Sequence, residues 1–104
     1  MLTYIIDGNN LIGKISSLMN LQKKDKQASR EKLIYILDRY FAQKKASVSL
    51  HLDGHQSGSV HSSKMKIIYS ENLTADEKIK KQISQSKSPR NIIVVTSDSN
   101  LAQF

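Results

Sequence analysis

Asp7, Asp53, Asp76 and Asp98 are the residues of this 104-residue chain whose type and placement suit chemistry. Three of them close short apolar runs, YIID, LHLD and IIVVTSD, while Asp76 falls in the first turn of a predicted helix. In open parallel sheets, ligands bind beyond the carboxyl ends of the strands. Acids there are positioned for chemistry, whereas acids inside the runs would carry a desolvation cost. Carboxylates that converge repel one another unless a cation lies between them. Oxygen-only ligation suits Mg²⁺ or Mn²⁺ better than zinc, and such an ion activates water and neutralises charge on a phosphodiester. Each acid also has an ordinary explanation. Asp-Gly is common turn chemistry at Asp7 and Asp53, Asp76 complements a helix dipole, and Asp98 suits an N-cap. Four such acids on one predicted edge of a basic protein favour a site.

Asn9, Asn10, Thr96, Ser97, Ser99 and Asn100 lie beside these acids, suited to hydrogen bonds that fix carboxylate rotamers or ordered water. His51, His55 and His61 cluster around Asp53, but their spacing matches no tight zinc motif. His51 alternates with Leu50 and Leu52 on a strand. His55 is the best placed of the three to contact a substrate from a loop.

Sixteen Lys and Arg against nine Asp and Glu give a net charge of +7. A basic surface concentrates phosphate backbones and speeds encounter, so nucleic acid is the first partner to consider. The length supports one domain with a real core. The 38% hydrophobic content includes no run long enough to span a bilayer. The N-terminus reads as a strand and lacks the pattern of a signal peptide, which leads to an expectation of a cytoplasmic protein. The absence of cysteine excludes disulfides and thiolate metal sites, leaving carboxylate and imidazole as strong ligands.

The elements that must position the acids follow from periodicity. Leu2 to Ile6 predicts a buried strand, and Leu11, Ile12, Ile15, Leu18 and Met19 a short amphipathic helix. Residues 20–28 are polar and read as an exposed loop. Ser29 is the expected N-cap of the longest helix, to about Lys45, with Leu33, Ile36, Leu37, Tyr40 and Phe41 facing the core. Ala46 to Asp53 alternates like a strand with one polar face, followed by a Gly/Ser-rich loop and a third strand over Met65 to Ser70. Thr74-Ala75-Asp76-Glu77 matches a capping box for a helix to about Ser86, with Ala75, Ile79 and Ile83 inward. Ser88-Pro89 stops it, and IIVVTS predicts the central buried strand. Ser99 to Phe104 resembles the opening turn of another helix. The alternation argues for a parallel α/β sheet with right-handed crossovers, the loop-only link between the second and third strands fitting least well.

YIIDGNNLI, LHLDGH, TADEKI and IIVVTSDSNL resemble, in order and spacing, the NYN branch of the PIN-like ribonucleases, particularly the YacP-like group. The resemblance spans nearly the whole chain. It implies one PIN-like domain over residues 1–104, a three-layer α/β/α fold with a mostly parallel four-stranded sheet. It also implies that, compared with relatives, a C-terminal helix and last strand are missing and that the domain is C-terminally truncated. It further implies Asp7, Asp53, Asp76 and Asp98 as the metal-binding catalytic set, with Asp7, Asp76 and Asp98 the direct ligands for Mg²⁺ or Mn²⁺ and Asn10, Ser97 and Asn100 in support. Many relatives carry a further acid where this chain has Ser99 and Asn100, and an amide is a weaker ligand. An exposed sheet edge at the missing strand would also favour a homodimer.

The leading expectation is therefore a metal-dependent endoribonuclease, with Lys78, Lys80, Lys81, Lys87, Arg90 and His55 holding RNA. The alternative is an RNA-binding domain that keeps fold and charge without cleaving. A nucleotide-binding flavodoxin-like protein ranks below both, because no glycine-rich phosphate loop follows the first strand.

Overall fold

The computed structural model describes residues 1–56 and 62–96. Strand β1 (Leu2–Asp7) leads into helices α1 (Gly8–Lys14), α2 (Ser16–Lys24) and α3 (Lys26–Phe41). Strands β2 (Ala46–Leu52) and β3 (Lys66–Tyr69) follow, then helix α4 (Ala75–Ser84), a single 3-10 turn at Pro89–Asn91 and strand β4 (Ile92–Val95). The sheet order is β3-β2-β1-β4, and every pairing is parallel, including β2 with β3. The β2 to β3 pairing is parallel, and no helix falls between these strands among the described residues. The registers Asp7 with His51 and Ile6 with Val95 align three carboxyl ends along one edge.

Successive strand residues face opposite ways, so the sheet carries two packed faces. Ile6, Val48, Leu50 and Leu52 form the larger core with Ile12, Leu18, Leu33, Ile34, Leu37 and Phe41 of the first three helices. On the other face Ile5 packs with Ile79 of α4, supported by Ile83, Ile92 and Val94. These are the three expected layers. Because α4 covers β2, Ser49 and His51 are buried rather than forming a polar exposed face.

Between β1 and β2 the structure departs from expectation. Helix begins at Gly8, and its first piece ends at Ile15, whose extended backbone separates α1 from α2. The polar stretch after Met19 is not a loop. It completes α2, and Asp25 both closes that helix through its N–H to Leu21 O and caps α3 by accepting from Ala28 N at 3.0 Å. The N-cap is thus Asp25, while Ser29 is buried within α3 and donates to Lys26 O. A lone acid among lysines reads locally as a solvated charge run, which hides its capping role. Helix α3 ends at Phe41, and its inward stripe is Arg30, Leu33, Ile34, Leu37 and Phe41. Ile36 and Tyr40 lie beside that stripe, Tyr40 being 62% exposed.

Helix α4 follows the capping box, Thr74 Oγ1 accepting from Glu77 N at 3.1 Å, and ends at Ser84. The last described strand is shorter than IIVVTS. It borders the sheet among the described residues, leaving β1 and β2 as its centre. β-branched composition signals strand propensity and does not set the strand's place in the sheet.

Candidate acidic site at the carboxyl edge

Asp7 is the last residue of β1 and only 9% exposed. Its Oδ1 accepts from Asn10 N at 3.3 Å, capping α1, and its Oδ2 accepts from Thr96 Oγ1 at 3.3 Å just beyond β4. Two neighbouring strand ends are thereby tied through one carboxylate. Gly8 permits this arrangement, because a Cβ there would stand 2.7 Å from Leu52 Cδ2 and 2.8 Å from His51 O. The start of α1 presses on β2 at a distance only glycine tolerates.

Asp53 joins three segments. Its Oδ2 accepts from Asn9 Nδ2 at 3.0 Å, its Oδ1 accepts from Ala75 N at 2.8 Å, and its backbone O accepts from Arg30 Nη2. Its own N–H donates to Asn9 Oδ1 at 3.4 Å. Asp53 therefore pins α1 and the first turn of α4 to the end of β2. Gly54, at φ +87°, turns the chain, donating to Ser70 Oγ and accepting from Glu71 N.

Asp76 stands in that pinned first turn of α4. Its Oδ2 pairs with Lys80 Nζ at 3.2 Å, one helical turn on. Its Oδ1 is buried without a hydrogen-bond partner among the described residues. A buried carboxylate oxygen left unpaired is costly and calls for a donor or a cation. Asp98, Ser97, Ser99 and Asn100 lie outside the described residues, as does His61. Among the described residues, no set of three or more acids, histidines or cysteines is grouped for a metal.

Arg30 was not singled out by the sequence reading. It is 4% exposed, and its guanidinium lies 5.8 Å from the centre of the Tyr69 ring while bonding Asp53 O. An arginine on the apolar stripe of α3, just before Leu33 and Ile34, is the signal that could have found it. Gln82 was likewise unflagged. It ties α4 to β2 by accepting from His51 Nε2 at 2.7 Å and donating to Ser49 Oγ at 3.0 Å. That orientation gives Nε2 the ring proton, and His51 Nδ1 remains buried without a partner among the described residues. Burial holds the His51 pKa below its ordinary value, helped by the charges of Lys78 and Lys66 and opposed by the Gln82 hydrogen bond.

The expected RNA contacts are spread over several surfaces. Lys80 is engaged by Asp76, whereas Lys78 and Lys81 line an open pocket with Lys66. Lys87 and Arg90 are exposed around the turn between α4 and β4. His55 is exposed beside Asp53 and lines a cavity of about 390 Å³ with Gln56, Tyr69 and Glu71.

A parallel sheet with its acids at the carboxyl edge defines a class, and the family comparison agrees with it. Residues 4–104 match the YacP-like NYN domain, and the chain belongs to that family, with its PIN-like nuclease fold. A crystal structure of Rae1 (YacP) from Bacillus subtilis is similar over 99% of this chain, at 28% identity and a TM-score of 0.80. This chain spans 63% of that one. None of the curated proteins matches it.

Proposed function

We propose that the carboxyl edge is the active site of a metal-dependent endoribonuclease. The observation that carries this reading is Asp76 Oδ1, a buried acidic oxygen without a partner among the described residues, at the edge where Asp7 also lies. The donor set fits a hard divalent cation, since both candidates are carboxylates and no thiolate exists in the chain. Asp7 and Asp76 would hold Mg²⁺ or Mn²⁺, with Asp98 as the third acid. A bound ion of this kind would supply water activation and neutralise charge developing on the phosphodiester.

The chain's own groups do the positioning. Asp53, with both carboxylate oxygens engaged, sets the first turn of α4 and thereby Asp76. Thr96 and the N-terminus of α1 orient Asp7, and Asn10 contributes its backbone N–H to that arrangement. In this reading Ser97 and Asn100 support Asp98. Lys78, Lys81, Lys87, Arg90 and His55 hold the RNA backbone by charge and hydrogen bonding, while Lys80 balances Asp76. The partner is RNA, and no described helix is long and apolar enough to cross a membrane.

The test is cleavage of an end-labelled structured RNA with Mn²⁺, comparing the wild-type chain with Asp7→Asn and Asp76→Asn. Cleavage that needs the ion and is lost in both variants is expected. Ion-dependent cleavage that survives both overturns the site. Salt-sensitive RNA binding by the wild type without cleavage identifies a non-cleaving RNA-binding domain instead.

A further inference from the structure

On the face of the sheet covered by α4, Lys66, Lys78 and Lys81 surround an open pocket of about 290 Å³. Ile68, Gln82, Gln85 and His51 complete its lining. The grouping follows from two periodicities. Lys66 and Ile68 alternate onto the same face as Ser49 and His51, through the registers Ser49 with Lys66 and His51 with Ile68. Lys78, Lys81 and Gln82 recur at three- and four-residue intervals along one side of α4, and the C-cap Gln85 continues that side.

None of the three lysines has a carboxylate partner among the described residues, in contrast to Lys80. Like charges gathered around one concavity repel, and an anion placed among them removes that repulsion. The pocket wall is also fixed rather than fluid, because Gln82 is held between His51 Nε2 and Ser49 Oγ. His51 is 1% exposed, and its Nδ1 is a polar atom buried beside the pocket with no partner among the described residues. Ammonium groups act as mobile point charges and suit a phosphate oxygen, while the Gln85 amide adds a neutral donor.

We infer that this pocket, whose lining includes none of the edge acids, binds a phosphate group held by Lys66, Lys78 and Lys81. The phosphate of a bound RNA strand and that of a free phosphate compound share this chemistry. Only the first source rests on the proposed RNA function. In that case the strand runs from the acidic edge along α4 to the β3 border, which adds Lys66 to the contacts and makes the pocket an anchor away from the cleavage point.

Two titrations test it, using wild type, Lys66→Gln/Lys81→Gln, and Lys23→Gln/Lys24→Gln as a control of equal charge loss on α2, across the sheet. Inorganic phosphate is added at constant ionic strength while the His51 ring and the Gln82 and Gln85 amide signals are followed by NMR. Saturable shifts in wild type and the control, absent from the pocket variant, are expected. No saturable shift in wild type, or the same shifts in the pocket variant, overturns the site. In parallel, binding of a short fluorescein-labelled single-stranded RNA is measured against salt. A slope of log K on log salt that falls by about 0.7 in the pocket variant beyond the control assigns the pocket to one RNA phosphate. Phosphate shifts with an unchanged RNA slope support the pocket and assign it to a free phosphate compound. Phosphate shifts in a chain that binds no RNA support the pocket while overturning the RNA function.

Discussion

The Asp53 carboxylate accepts a hydrogen bond from the backbone N–H of Ala75 at 2.8 Å, immediately before Asp76 in the chain. One acid of the edge thus fixes the backbone that carries another. The same carboxylate reaches Asn9, two residues after Asp7, so Asp53 spans the segments bearing Asp7 and Asp76, two of the proposed ligands.

Asp53→Asn tests this positioning role. The substituted amide presents an NH₂ to one of two donors, Ala75 N–H or Asn9 Nδ2, leaving one without an acceptor. A loss of about 1–3 kcal/mol in unfolding free energy is expected, measured by urea denaturation. Metal-dependent cleavage should fall with it, because α4 no longer holds Asp76 in place. A variant with full stability and full activity would show that the contacts at Asp53 position nothing.

Gly8→Ala tests the close approach of α1 to β2. The new methyl meets His51 O and the Leu50 and Leu52 side chains, and backbone cannot yield as a flexible side chain does. Overpacking of this kind costs about 1–3 kcal/mol. Gly13→Ala, with nothing within 4 Å of its added Cβ, is the control. It should be neutral or slightly stabilising, so that the two melting temperatures separate clearly.

Thr74→Ala removes the acceptor for Glu77 N at the start of α4. A loss of about 1 kcal/mol is expected from such a cap, and Thr74→Ser should recover most of it. Equal melting temperatures for all three proteins would contradict the assigned cap.

His51 predicts a pH dependence of stability. Its folded pKa lies below the ordinary 6.5, chiefly through burial, with Lys78 and Lys66 adding to the shift and Gln82 opposing it. Between the lowered folded value and 6.5 the unfolded chain binds the proton and the folded chain does not. Stability is therefore full above pH 6.5 and declines as pH falls through the window beneath it. Urea unfolding at stepped pH should show a shallower decline for His51→Gln than for wild type in that window, whatever the variant's absolute stability. Identical slopes would contradict the shift.

The contrast between Asp7 and Asp53 shows how much was legible in the sequence. The placement of Asp7 followed from an apolar run ending at an acid, a local pattern that the parallel sheet preserves. The same logic reached the capping box at Thr74 and the inward Ile79. What Asp53 touches was not legible, because Asn9, Ala75 and Arg30 lie 44, 22 and 23 residues away and periodicity carries no information about such pairings. Asp25 fails for the opposite reason. Its capping contact is local, but flanking lysines gave the segment the composition of a loop. Ile36 and Tyr40 show the third limit, since apolar residues one position off the stripe of α3 count equally in the pattern and differ only in what packs against the helix.

The most direct test of the central claim is Mn²⁺ binding by calorimetry to wild type, Asp7→Asn and Asp76→Asn, each checked for folding by circular dichroism. Saturable binding by wild type that weakens at least about 10-fold in each folded variant is the predicted result, a difference of about 1.4 kcal/mol. Mn²⁺ binding of equal strength in all three proteins would contradict the assignment of Asp7 and Asp76 as the acids that hold the ion.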